Sequence, residues 1–417
     1  MPSSVANEQV LVLGAGIQGV CAALALAGRG SRVTLIDDAP VAMSRASLVN
    51  EGKIHLGHVY ANDPSFETPR LMLRAAFSFA PLLERFVGRS IDWSALRASP
   101  FQYLVASDSQ LTVDQLLGHY ARLDAAYRDL LQENQESHGT ATHYLGTQPA
   151  VLTQQVGLPA SVNPDQFAAA FATAEMAVEP RRLREILARA VDDSPLITTL
   201  YGHHVEDIRR TQGRFVVEGR ASGRASWSRA ADVVVNCLWT DRLRIDQQMG
   251  MSSDRPWVYR LKYRVLVDLP DHMLGRVPSL TIVLGKYGDI VTYPGERSVY
   301  LSWYPACLQG WACTRDIPPA WRGPIDGLVE PGTAARVSGG TLAAFDALLP
   351  GLGRATVTDV RAGVIGSWGR TDIDDPHSEL HERRDIGVHA DGRYFTIDTG
   401  KFTCAPLFAA RLLDALN

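Results

Sequence analysis

Gln9-Val10-Leu11-Val12-Leu13-Gly14-Ala15-Gly16-Ile17-Gln18-Gly19 sets a short apolar run before three glycines at GxGxxG spacing. A small-residue stretch follows to about Gly28, then a second apolar run, Arg32 to Ile36, ending on Asp37 and Asp38. Each part has a chemical use. Gly14 permits the tight turn, Gly16 lets backbone approach a pyrophosphate, and Gly19 lets helix pack closely on strand. The helix start, at Ile17 and Gln18, offers free N–H groups and partial positive charge to phosphates. An acid ending the second strand accepts hydrogen bonds from a ribose diol, and Asp37 lies 23 positions after Gly14, close to the spacing such units use. The unit reads as strand, turn, helix, strand and acid: a dinucleotide clamp.

Around that clamp, 417 residues exceed one ordinary core and suggest two domains, or one with a large insertion. Apolar content of 46% and charged content of 21% describe a soluble globular chain. A net charge of −4 gives no electrostatic case for nucleic acid or an acidic membrane surface. The five cysteines (Cys21, Cys237, Cys307, Cys313, Cys404) form no CxxC pair, as in reduced cytoplasmic proteins. No apolar stretch has transmembrane length, and the start, Pro2-Ser3-Ser4, reads as a polar tail. The expected setting is the cytoplasm. His203 and His204 are adjacent and would point oppositely on a strand, so no metal site is expected.

Further along, residues 66–87 carry apolar side chains at helical spacing, and Phe101 to Ala106 reads as a strand. Thr112-Val113-Asp114-Gln115 is a capping-box pattern that opens another helix, and Pro180 suits the first turn of a third. Strands are expected at Leu196–Leu200, His203–Ile208, Phe215–Glu218 and Ala231–Cys237. From Tyr259 the pattern turns to alternation, at Leu261–Leu269, Leu280–Leu284, Ile290–Tyr293 and Ser298–Tyr304, which suits an antiparallel sheet. Alternation places Tyr300 and Trp303 on opposite faces of that sheet. The end returns to the pattern of the opening, with a strand at Tyr394–Ile397, a turn at Asp398-Thr399-Gly400-Lys401, and a helix from about Ala405.

These segments, in this order, resemble the FAD-dependent amine and amino-acid oxidoreductases, the family of D-amino-acid oxidase, glycine oxidase and sarcosine oxidase. Three motifs carry the resemblance: the clamp; Met176-Ala177-Val178-Glu179-Pro180 with its following helix; and Ile397-Asp398-Thr399-Gly400-Lys401-Phe402-Thr403-Cys404-Ala405-Pro406. The resemblance implies an α/β fold: a Rossmann-like, glutathione-reductase-type FAD-binding domain from residues 8–95, 177–250 and 355–417, and a mostly antiparallel β substrate domain from 96–176 and 251–354. The cofactor residues it implies are Gly14, Gly16, Ile17, Gln18, Gly19, Asp37, Asp38, Arg45, Ser47, Asn50, Gly52, Lys53, Val205, Gly400, Lys401, Phe402 and Thr403. Among these, Val205 would present its backbone to adenine, Arg45 and Ser47 would meet phosphate, and the 400–403 loop would face the flavin's pyrimidine edge. FAD is expected to be held without a covalent bond, since His55 sits beyond the family's attachment position and Cys404 is on a helix start.

The implied reaction is oxidation of a C–N bond by hydride transfer to flavin N5, with oxygen or another acceptor taking the electrons. His55, Lys53 and Lys401 are the candidate catalytic groups, and His55, Tyr60, Tyr293, Trp303 and Arg370 the candidate substrate contacts. The chain departs from the family in two places. Asn236-Cys237-Leu238-Trp239 lacks the expected glycine, and the usual carboxylate-gripping arginine segment is replaced by Arg361 to Arg370. Oxidation of a C–OH carbon, with His55 or His58 as base, therefore stays open, and a flavin monooxygenase is a third possibility. Oligomeric state is left open.

Overall fold

Strand β1, Gln9–Leu13, lies at the centre of a six-stranded sheet, with β2, Arg32–Asp37, parallel to it on one side. Residues 8–136, 143–223, 225–285, 287–383 and 385–416 are described in this computed structural model; the Pro2-Ser3-Ser4 segment lies outside them. The sheet runs Gly387–Asp391, Tyr394–Asp398, Val233–Asn236, β1, β2, Ile197–Tyr201, and is parallel except for its Gly387–Asp391 edge. Helix α1, Ile17–Gly28, is buried along nearly its whole length between the sheet and the helices Glu67–Val87 and Ala405–Ala415. Its alanines and glycines are small enough to let neighbours close in on every side, and Gly19 is the extreme case. A Cβ there would stand 1.7 Å from the Gly14 carbonyl oxygen.

A second sheet of nine strands is mostly antiparallel. Trp257–Asp268 is its hub, pairing with Ser298–Trp303 and Leu308–Ala312 on one edge and Thr356–Trp368 on the other. The expected helices are present at Glu67–Val87, Val113–Glu136 and Pro180–Asp192. The Thr112 capping box is reciprocal: the Gln115 amide donates to the Thr112 hydroxyl at 3.2 Å, and the Thr112 amide donates to the Gln115 side chain at 2.8 Å.

Two features depart from the sequence pattern. The single strand expected at Ala231–Cys237 is two, Ser226–Ala231 in a three-stranded meander and Val233–Asn236 in the parallel sheet. Asp232 sits at the crossing, its carboxylate accepting from the Gln9 amide and from Arg214. Thr356–Trp368, expected with the cofactor-binding segments, runs in the nine-stranded sheet. Its glycines at 363 and 366 obscure the alternation, and they are there because Val49 and Trp257 pack onto them.

Because α1 can approach β1 only while position 19 lacks a Cβ, Gly19→Ala should cost about 2 kcal/mol or more of unfolding free energy. Urea unfolding of the two proteins would measure it, and an unchanged midpoint would show that the packing relaxes freely.

Candidate active site

A cavity of about 420 Å³ runs from the Gly14–Gln18 turn to the face of the nine-stranded sheet. At its first end Gly14 has φ +94°, and a Cβ there would lie 2.6 Å from the Cys237 carbonyl oxygen. Asp37 accepts from the Ala15 amide at 2.5 Å and from Ala39 at 2.8 Å. Burial pushes its carboxyl up to about 6, against those two hydrogen bonds. Burial also opposes the Asp38 charge, but His204 and Arg45 hold that carboxyl well below the usual range. Arg45 reaches Asp38 and also Asp326 at 2.8 Å, tying the clamp to the loop beyond the second sheet. The Ile17 amide donates to the Ser47 hydroxyl at 3.0 Å, placing Ser47 on the mouth of α1. Asn50 holds its own loop, donating to the Ala46 and Ser47 carbonyls and accepting from Gly52. Gly52 has φ +72°, and a Cβ would meet the Val178 carbonyl at 2.0 Å.

The second end is polar and strongly charged. Lys53 is buried and donates to Thr281 and Asp289, each at 2.5 Å, with Phe101 under its ammonium. Burial opposes that charge, but Asp289, Glu175 and Glu51 more than restore it. His55 is buried beside Glu175 and Glu51, and burial and the Lys401 charge pull its imidazole down to about 4. It is therefore neutral at physiological pH. Burial and the Arg383 charge likewise pull Lys401 down to about 8. Tyr60 lies against both His55 and Lys401. Opposite them, Arg260 donates to the Tyr304 hydroxyl at 2.6 Å and to Asp372 at 3.1 Å.

Of the residues singled out from the sequence, Gly14, Gly16, Ile17, Gln18, Asp37, Asp38, Arg45, Ser47, Asn50, Lys53, His55, Tyr60, Gly400, Lys401 and Phe402 line this one cavity. Gly19, Gly52 and Thr403 stand behind its wall, Thr403 accepting from the His55 amide at 2.9 Å. Val205 is in the meander's apolar core, with its carbonyl taken by Arg244 at 2.7 Å. Tyr293 packs against the main core rather than the cavity, and Arg370 is exposed. Tyr300 lines the cavity while Trp303 packs on Phe345 on the other face, as strand alternation requires. Pattern reading passed over Arg260, Lys262, Arg264, Glu51, Asp289 and Arg383, all on the wall. Charged residues at alternate positions of an apolar strand, as at 260, 262 and 264, were the signal for three of them.

Buried polar atoms are nearly always bonded. Here Gln18 Oε1, His55 Nδ1, the Tyr60 hydroxyl, Arg260 Nε, Arg264 Nη1 and Arg383 Nε have no hydrogen-bond partner among the described residues, and all belong to cavity-lining residues. The glycine cradle at one end and these orphaned groups along the wall fit a long, polar, diphosphate-bearing ligand.

Comparison with known proteins decides which. Residues 9–412 match the family described as FAD dependent oxidoreductase, DAO. The chain belongs to that family. It is an enzyme, and its cofactor is FAD. Solved structures share the fold at low identity: glycine oxidase from Geobacillus kaustophilus (TM-score 0.66, 17% identical, covering 98% of this chain and 94% of that one) and iminodiacetate oxidase from Chelativorans sp. BNC1 (0.62, 19%, 98% and 95%). L-α-glycerophosphate oxidase from Mycoplasma pneumoniae, with FAD bound, superposes at TM-score 0.64 with 13% identity over 99% of this chain and 95% of that one. Among curated sequences, a D-amino acid dehydrogenase of Dechloromonas aromatica (strain RCB) is 38% identical over 78 residues, 19% of this chain and 19% of the relative's length.

If Asp37 is the ribose acceptor that the sequence pattern implies, its ionised form is the better one, and burial pushes its carboxyl up to about 6. FAD affinity of the apoenzyme should therefore weaken as pH falls through about 6, and Asp37→Asn should remove that step. Fluorescence titration with FAD across pH 5–8 would check it; a pH-independent affinity in the parent protein would refute the assignment.

Proposed function

We propose that this oxidoreductase oxidises a C–N bond of a small amino-acid-like molecule, with the substrate's carboxylate held by Arg260 and Tyr304. The observation that carries this reading is the position of that pair. Arg260 is buried, its Nε is without a partner, and it faces the same cavity as Lys53, His55 and Lys401. A buried guanidinium with an unfilled Nε donor beside a cavity suits a carboxylate. Arg361 and Arg370, the arginines nearest the expected motif, are more exposed and do not reach the cavity.

In the proposed holoenzyme the Gly14–Gln18 turn, Ser47 and Arg45 hold the diphosphate, Asp37 the ribose, and Gly400 to Phe402 the pyrimidine edge of the isoalloxazine. Bound FAD supplies the two-electron acceptor. The protein's part is to hold the reacting carbon in place, exclude water and keep the amine unprotonated. A cationic wall favours the neutral amine, because a second positive charge beside Arg260, Lys262 and Lys401 is repelled. Lys401 in the loop before the Ala405–Ala415 helix puts positive charge where reduced flavin is electron-rich. Attachment is read as non-covalent: Cys404 is buried off the cavity and burial pushes its thiol up to about 12. Cysteines that are all free support a reducing, cytoplasmic setting. Among the described residues no helix is long and apolar enough to cross a membrane.

A second reading rests on His55. Its imidazole is neutral and lines the cavity, and its Nδ1, 3.8 Å from Glu175, makes no hydrogen bond among the described residues, which suits a base for a C–OH substrate. Anaerobic mixing of the FAD-loaded enzyme with a panel of amino and hydroxy acids separates the two. Bleaching of the flavin band by amino acids alone is the expected result; bleaching by hydroxy acids alone would overturn the C–N reading. For whichever acid is oxidised, Arg260→Met should raise KM about tenfold or more with a smaller change in kcat. Steady-state kinetics would show this.

A further inference from the structure

Arg260, Lys262 and Arg264 occupy alternate positions of the hub strand Trp257–Asp268, and all three line the cavity. The opposite face of that strand, Tyr259, Leu261 and Val265, is packed into the apolar core. Alternate residues of a strand stand roughly 7 Å apart, so the cavity is floored by a ladder of cations at that interval. Arg383 and Lys401 line the same cavity from other segments of the chain. Burial and the Arg260 charge lower Arg383, and burial with the charges of Arg383, Arg260 and Lys262 lowers Lys401.

Counter-charge reaches this ladder unevenly: Glu51 and Asp289, on the same wall, act on Lys262 only from beyond ion-pair distance. Arg260 has Asp372, and Arg264 has Asp359, which it shares with Arg361 at 3.0 Å. Lys262 lies over the Tyr304 ring at 5.2 Å, and among the described residues no carboxylate stands within ion-pair distance of Lys262, Arg383 or Lys401. The orphaned polar atoms fall on the same residues: Arg260 Nε, Arg264 Nη1 and Arg383 Nε. Crowded buried cations with unfilled donors are unfavourable unless an anion joins them. One carboxylate at Arg260 leaves Lys262 without an ion pair and Arg264 Nη1 without a hydrogen bond among the described residues.

We propose that the pocket selects a substrate with two acidic groups a few carbon atoms apart, the acid beside the reacting carbon on Arg260 and the distal one on Lys262 and Arg264. This rests on the C–N reading only for the identity of the reacting bond. The ladder itself discriminates diacid from monoacid whatever bond is oxidised.

The test uses the FAD-loaded enzyme and two acids that it cannot oxidise as amines, glutarate and pentanoate, of equal chain length. Perturbation of the flavin absorption band reports binding without turnover. Glutarate should bind about tenfold or more tightly than pentanoate, the worth of one charge-assisted contact. Lys262→Met, at a half-buried position that holds no other element by a hydrogen bond, should erase most of that preference while the protein keeps its FAD. Equal binding of the two acids by the parent protein would overturn the proposal, as would a variant that weakens both alike. Anaerobic bleaching by glutamate against glutamine, in both enantiomers, adds the reacting end. A glutarate preference without bleaching by any amino compound removes the C–N reading and leaves the two-acid pocket. Bleaching by glutamine as fast as by glutamate does the reverse.

Discussion

The segment from Gly52 to Leu56 crosses between the two sheets with its backbone buried, and most of its backbone polar groups find their partners far along the chain. Gly52 accepts from the Val178 amide, Lys53 and Ile54 pair with Ala177 and Met176, and the Ile54 carbonyl accepts from the Tyr144 hydroxyl at 2.7 Å. The His55 amide goes to Thr403 and the Leu56 amide to Glu175 at 2.6 Å. Parts of the chain more than a hundred residues apart must be in place before this short run is satisfied. An unpaired buried amide costs about 1–3 kcal/mol, so the crossing is specified as tightly as the core around it. Lys53 and His55 owe their placement on the cavity wall to that requirement.

Glu175 is the keystone of the crossing. It is fully buried, takes the Tyr103 hydroxyl and the Leu56 amide, and lies beside His55 and His58. Burial works against its charge, but the adjacent His58 imidazole and the Lys53 ammonium prevail and hold the carboxyl well below the usual range. A carboxylate kept ionised in the interior adds negative potential at the base of a wall that also carries Glu51 and Asp289. That balance lets Lys53 stay charged over Phe101 while His55, two residues along the chain, stays neutral.

The glycine-turn end of the cavity was legible because its requirements are local. Tight turns, close helix–strand contact and an acid at a strand end are imposed within a short span of chain, and Gly14, Gly16, Gly19 and Asp37 satisfy them in order. Thr112 with Gln115 and Pro180 were legible for the same reason. The break at Asp232 was not, since an apolar run reads alike whether it serves one sheet or two. Thr356–Trp368 was missed because glycines that accept neighbouring side chains interrupt its alternation.

The substrate end depends on position in space. By itself the sequence determined the clamp, the order of segments and hence the FAD-dependent family, each carried by residues close together in the chain. Only the tertiary structure decided that Arg260, Lys262 and Arg264 face the cavity while Arg361 and Arg370 stay outside it. Strand alternation allows either face to be the inner one, and the choice is made by which face buries Tyr259 and Leu261 against the core. Charges so placed acquire their chemistry from the neighbours that burial brings to them, and those neighbours come from the far ends of the chain.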